Sequence, residues 1–237
     1  SAAATAAMPP AAASPAAEAA ALRSSTAYVQ VVVDANLPMD EMIEITDDDV
    51  DTLKHTTSRL RVGTVLSRGD MLHLALMSSE NRAAHALGRN YPGGMPAFVA
   101  AMNAKARSLG MLNTRFVEPT GLSSENVSSP RDLARMLRAA SQRPLIHRYS
   151  TDTEYEVEIN NRTQTFRNTN LLVRKPDWDI KVSKTGFINE AGECLVMLAR
   201  INGRDMAIVL LDSQGKLSRI GDAVRIRRIV QNDVAML

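Results

Sequence analysis

The strongest constraint on how this 237-residue chain can fold sits in its last third. Two continuous apolar runs, Cys194 to Ile201 and Met206 to Leu211, flank the dipeptide Asn202-Gly203. Asn-Gly suits a two-residue hairpin turn, because both turn positions need positive φ. The segment therefore predicts an antiparallel pair of strands, and that pair needs cover. Ile220, Val224 and Ile229 follow as a helical stripe with arginines opposite, so a C-terminal helix is expected on one face. Ahead of the hairpin, Ile180, Val182 and Lys184 share one face of a further strand. Tyr155, Val157 and Ile159 alternate with glutamates, the pattern of a half-exposed strand.

The middle of the chain is helical. From Asp70, the residues Met71, Leu72, Ala75 and Leu76 fall on one face, and a second apolar set follows at Ala83, Ala84, Ala86 and Leu87. Pro96 suits a first helical position, with Phe98, Val99, Met102, Ala106 and Leu109 as the buried stripe and Gly110 as the stop. Ser129 followed by Pro130 starts another helix, buried through Leu133, Met136, Leu137 and Ala140. Ser25 to Val33, rich in β-branched residues, predicts a first strand, and Met42 to Thr46 a short one. Residues 1–21 are nearly all Ala, Pro and Ser. They cannot build a core and are expected to form a flexible arm, leaving 22–237 as one α+β domain. There are no internal repeats.

Composition excludes several classes of function. A formal net charge of +2 argues against a dedicated nucleic-acid binder, and the run Arg225-Ile226-Arg227-Arg228 reads as a solvated helix face. The single Cys194 lies in an apolar run, as a buried strand residue does. The four histidines, His55, His73, His85 and His147, show no metal-binding spacing. No apolar stretch is long enough to cross a membrane, and no charged start leads into a long apolar segment. A signal peptide is accordingly expected to be absent or already removed.

Two tripeptides carry chemistry. Ser79-Glu80-Asn81 falls where one helix ends and the next begins, and Lys184-Thr185-Gly186 ends a strand. Either alone is weak, since the chain holds a second S-x-N at Ser124-Glu125-Asn126. In this order and context they match the S-x-N and K-T-G motifs of penicillin-binding proteins. The likeness extends through Leu72 to Ala84, Phe116 to Leu122, Phe166 to Asn170 and Lys184 to Gly192. In these stretches the chain resembles the penicillin-binding DD-peptidases, most closely the DD-endopeptidase branch of the low-molecular-mass penicillin-binding proteins. The resemblance runs from about Leu22 to the C-terminal helix.

That resemblance implies a DD-peptidase/β-lactamase-like fold, an antiparallel sheet flanked by helices with a helical subregion. It implies a serine-type D-Ala-D-Ala endopeptidase or carboxypeptidase acting on peptidoglycan peptides, inhibited by β-lactam antibiotics and placed in the periplasm. No metal or organic cofactor is implied. Carried over residue by residue, Ser79 is a hydroxyl relay toward the leaving amine and Asn81 holds the active-site lysine and substrate backbone. Lys184 supplies positive charge. Thr185 and Gly186 line the strand edge that receives the peptide, and the Phe187 N–H forms half of an oxyanion hole.

The family's nucleophile motif, S-x-x-K at the start of a central helix, does not precede Ser79. The one S-x-x-K in the chain, Ser213-Gln214-Gly215-Lys216, follows Lys184 in a turn-like context and reads as a chance match. Leu22 to Gln30 resembles the family's first strand, whereas Val31 to Pro38 resembles the tail of the nucleophile-bearing helix. The break therefore falls at Gln30/Val31, and the nucleophile is unassigned. Either the protein has a true deletion, or an active enzyme carries a segment that this sequence lacks. Two alternatives follow, a catalytically inactive peptidoglycan-binding homologue and a serine β-lactamase with Glu118 as the candidate carboxylate.

Overall fold

The computed structural model describes residues 26–190 and 192–235; the Ala/Pro-rich arm expected over 1–21 lies outside them. The chain runs α1 (Ala27–Asp34), β1 (Met42–Glu44), β2 (Val65–Ser67), α2 (Arg68–Met77), α3 (Asn81–Arg89), α4 (Gly94–Ser108), α5 (Pro130–Ser141) and α6 (Pro144–Thr151). It continues through β3 (Glu154–Ile159), β4 (Arg162–Arg167), β5 (Asp179–Ile188), β6 (Gly192–Ile201), β7 (Arg204–Ser213) and α7 (Lys216–Ala235). The mixed α+β architecture is the expected one.

The hairpin signal is met. Asn202 and Gly203 take φ of 50° and 74°, and β6 and β7 pair antiparallel around them, closing with Ile201 opposite Arg204. β5 pairs with the other side of β6, giving a three-stranded sheet in the order β5-β6-β7 with β5 at its edge. One apolar layer joins this sheet to α7 through Leu195, Met197, Ile208, Ala223 and Ile226. The stripe on α7 is shifted from expectation. Ile226 is buried, whereas Ile229 is 48% exposed. A larger core packs α1 to α6 together and meets the sheet at Val182, Val196 and Leu198.

Helix starts follow local chemistry. Ser129 caps α5 by accepting from the Asp132 N–H, with Pro130 in the first turn. Helix α4 begins at Gly94, two residues before the expected Pro96, and stops where Gly110 adopts φ of 73°.

The N-terminal expectation fails. Ala27–Asp34 is a helix and not the first strand, and it runs unbroken through Gln30 and Val31. Ala27 to Val32 are all buried, and Gln30 Nε2 donates to the Met136 carbonyl at 3.0 Å on α5. A short apolar run reads alike as buried strand or buried helix. Here packing against helices outweighs the strand preference of four valines.

Candidate active site

Helix α2 ends at Met77, and the chain turns sharply into α3. The corner is possible because Ser79 takes φ of 55°, a left-handed conformation that non-glycine residues rarely adopt. Glu80 then caps α3, its carboxylate accepting from the Arg82 N–H at 3.2 Å and from Ser58 Oγ at 2.6 Å. Burial pushes the Glu80 carboxyl above its ordinary pKa, against those hydrogen bonds.

The strained corner aims Ser79 at the edge strand β5. Lys184 Nζ donates to Ser79 Oγ at 2.7 Å and to the Thr185 carbonyl at 2.6 Å. Ser79 Oγ also lies 3.2 Å from both the carbonyl and the hydroxyl of Thr185. Lys184 is only 3% exposed, so its ammonium meets these oxygens in a poorly solvated place, where each contact is stronger than in water. Asn81, the first residue of α3, donates to Thr56 Oγ1 at 3.0 Å and lines the same cleft.

Strand alternation extends the site along β5. Ser183 N–H bonds sideways to Ser150 Oγ, away from β6. In an antiparallel pair the backbone groups alternate in direction, so those of Thr185 and Phe187 face the same side, away from β6. Gly186 is buried, paired with Cys194 in the register, and Phe187 is 45% exposed at the outer end of the strand. A hydroxyl beside an ammonium can pass a proton, and an edge strand can take up a peptide as an added strand.

Four expected residues thus converge. Ser79, Lys184 and Thr185 are in direct contact, and Asn81 shares their cleft. Gly186 and Phe187 continue the edge without touching Ser79 through any described hydrogen bond.

Sequence reading missed other residues here. Tyr28, read as part of a strand, lines the cleft beside Ala75, Ser79 and Lys184, and only about 10 Å³ of room is left there. Thr169 bridges the two halves: its N–H donates to the Met77 carbonyl at 3.0 Å, and its hydroxyl lies 2.5 Å from Thr185 Oγ1. Thr169 stands inside the stretch Phe166 to Asn170 that carried the resemblance, which was its one signal. Thr120, inside the stretch Phe116 to Leu122, had the same signal, whereas Thr56 had none, because only tertiary contact brings it to Asn81.

A lysine on an edge strand facing a helix-corner serine, within an α+β frame, defines a class: the fold of the serine DD-peptidases. The Streptomyces K15 DD-transpeptidase shares it, with a TM-score of 0.77 over 90% of this chain and 86% of that one at 26% identity. Residues 22–215 match the D-alanyl-D-alanine carboxypeptidase family, and the chain belongs to that family. A D-alanyl-D-alanine endopeptidase of Pseudomonas aeruginosa is 54% identical over 200 residues, 84% of this chain and 64% of the relative. That of Escherichia coli K12 is 51% identical over 208 residues, 87% of this chain and 67% of the relative. The chain therefore spans about two thirds of the length of these relatives.

Proposed function

We propose that this protein is a serine-type DD-endopeptidase of peptidoglycan, acting on D-alanyl cross-link bonds in the periplasm and inhibited by β-lactams, with residues 22–237 working as one domain. The observation that carries the reading is the Lys184–Ser79–Thr185 contact at an open strand edge, in a chain so similar to proteins named D-alanyl-D-alanine endopeptidase. In this reading the peptide lies along β5, Thr185 and Gly186 hold its backbone, and the Phe187 N–H polarises the scissile carbonyl. Lys184 keeps positive charge beside Ser79, which relays a proton to the leaving amine. Asn81 orients the groups around the cleft.

The nucleophile belongs to an S-x-x-K turn that this sequence lacks. Helix α1 spans the Gln30/Val31 point at which the resemblance puts the missing segment, and Tyr28 of α1 lines the cleft. The β-lactamase alternative loses its candidate carboxylate. Glu118 accepts from Thr120 N–H at 2.6 Å, Ser123 N–H at 3.1 Å and Asn126 Nδ2 at 2.8 Å, so it staples its own loop.

The test is intact-mass measurement after incubation with benzylpenicillin, paired with hydrolysis of a cross-linked muropeptide dimer. The chain as it stands should form no covalent adduct. A version with an S-x-x-K segment inserted between Gln30 and Val31 should take up one drug molecule and cleave the dimer. An adduct on any serine of the unaltered chain would show that the nucleophile is present after all. Failure of the restored version to acylate, with its fold intact, would overturn the peptidase reading.

A further inference from the structure

A second concavity, sharing no lining residue with the catalytic cleft, opens between the 58–64 segment and the β3–β4 hairpin. Its volume is about 630 Å³, within the range of sites that hold small ligands. Arg59, Arg61 and Arg162 line it, with Asn160 and Gln164 beside them and the buried Thr64 and Ile159 beneath.

The charge of this groove follows from strand register. Ile159 pairs with Arg162, Val157 with Gln164 and Tyr155 with Phe166, so these six residues share one face. Glu154, Glu156 and Glu158 alternate with them and are held on the other face, exposed to solvent. The carboxylates nearest in sequence are thereby kept out of the groove. Arg59 is fixed outside any described ion pair, although it lies close enough to the Glu80 carboxyl to interact with it electrostatically. Its guanidinium lies 4.2 Å from the Phe166 ring centroid and donates to the Thr165 carbonyl at 2.7 Å. Arg61 and Arg162 are exposed, and among the described residues none of the three arginines stands in an ion pair. Three guanidinium groups around one hollow, with no carboxylate lining it, make a focused positive potential. Their planar forks match carboxylates two bonds at a time.

The groove is also tied to the catalytic corner. Ser58, on its rim, donates to Glu80, which sits between Ser79 and Asn81.

We propose that this groove is a binding site for an acidic peptide, gripping its carboxylates while the same molecule's D-alanyl bond lies at β5. That the peptide is substrate rests on the DD-peptidase reading; that the groove binds carboxylates does not. The amide side chains of Asn160 and Gln164 meet the peptide backbone, and Ile159 receives an aliphatic portion.

The test is an NMR titration of the isotopically labelled full chain with a wall tetrapeptide bearing free carboxylates, the same peptide with its carboxylates amidated, and inorganic pyrophosphate. Shifts at Arg61, Asn160 and Arg162 report the groove, and those at Ser79 and Lys184 report the cleft. The free peptide should shift the groove signals and bind about tenfold or more tightly than the amidated one. The double variant R61E/R162E should lose the same factor with an unchanged melting temperature, because both side chains are exposed; R61Q/R162Q should lie between. Groove binding that is indifferent to amidation or to charge reversal overturns the proposal. So does pyrophosphate binding that outcompetes the peptide, which would make this a phosphate site. Cleft shifts without groove shifts, or no shifts anywhere, overturn the groove; groove shifts without cleft shifts overturn its joint engagement with β5, and the peptidase reading stands or falls separately on the acylation test.

Discussion

Ser79 and Asn126 show how the same tripeptide pattern takes opposite meanings. Ser79 is held in a left-handed conformation with its hydroxyl 2.7 Å from Lys184, an arrangement costly for a serine unless its neighbours enforce it. In the version carrying the inserted S-x-x-K segment, Lys184→Ala should lower the rate of penicillin acylation by about two decades or more, read from the time course of adduct formation. Melting should change little by comparison. In the second S-x-N, Asn126 is fully buried and does structural work. Its Oδ1 accepts from Val117 N–H at 2.8 Å and its Nδ2 donates to Glu118 at 2.8 Å. Asn126→Ala leaves those partners unsatisfied and should cost about 1–3 kcal/mol in denaturant unfolding. Ser124→Ala, whose hydroxyl is in no described hydrogen bond, should leave both acylation and stability near wild type.

At the scale of elements, the docking of α2 against α6 and β3 depends on one buried imidazole. His73 lies between Tyr149, stacked at 4.1 Å, and Tyr155, tilted at 3.9 Å. Burial holds its pKa below the ordinary value, against the pull of Asp152 at 2.8 Å and of the more distant Asp70, while Arg148 adds to the depression. Tyr155 in turn donates to Asp70 at 2.6 Å, and that bond, with burial, pushes its phenol up to about 12. A base whose pKa is depressed by folding binds fewer protons in the native state than in the unfolded one. Stability is then lost as pH falls below the unfolded value of 6.5. The melting temperature should drop between about pH 7 and pH 5.5, and His73→Gln, though less stable throughout, should show a shallower drop. An equally steep profile in the variant would assign the pH dependence to other groups.

On the scale of the whole molecule, one short segment and one arginine join the helical half to the sheet. Asn168 donates to the carbonyls of Ser150 and Asp152, Thr169 bridges Met77 and Thr185, and Asn170 donates to Ser183 Oγ. Arg219 of α7 reaches across to the Thr169 carbonyl at 3.2 Å and pairs with Glu193 at 2.6 Å. Both partners of that pair are largely buried, so removing one strands the other's charge. Arg219→Met should destabilise the protein by about 3–5 kcal/mol, and adding Glu193→Leu should recover part of the loss in a double-mutant cycle. Full additivity of the two would mean that they do not act as a pair.

The sequence by itself determined the features that rest on local chemistry. The Asn202-Gly203 hairpin, the Ser129 cap and the Gly110 stop depend on the conformations and spacings of neighbouring residues, and all are found where the sequence placed them; Ser79 and Lys184 also meet, but Lys184-Thr185-Gly186 lies inside β5, which runs on to Ile188, and does not end the strand. Tertiary structure alone decided what depends on surroundings. Ala27 to Val32 became a helix in a setting of packing against α3 and α4 and a Gln30 hydrogen bond to α5, and an apolar run carries no period that tells a buried helix from a buried strand. The cleft gained Tyr28, Thr56 and Thr169 from segments far apart in the chain, and no spacing rule relates such residues. The arginine groove arose the same way. Its charge depends on which face of β3 holds the glutamates and on a loop from another part of the chain, both settled only when the strands paired and packed.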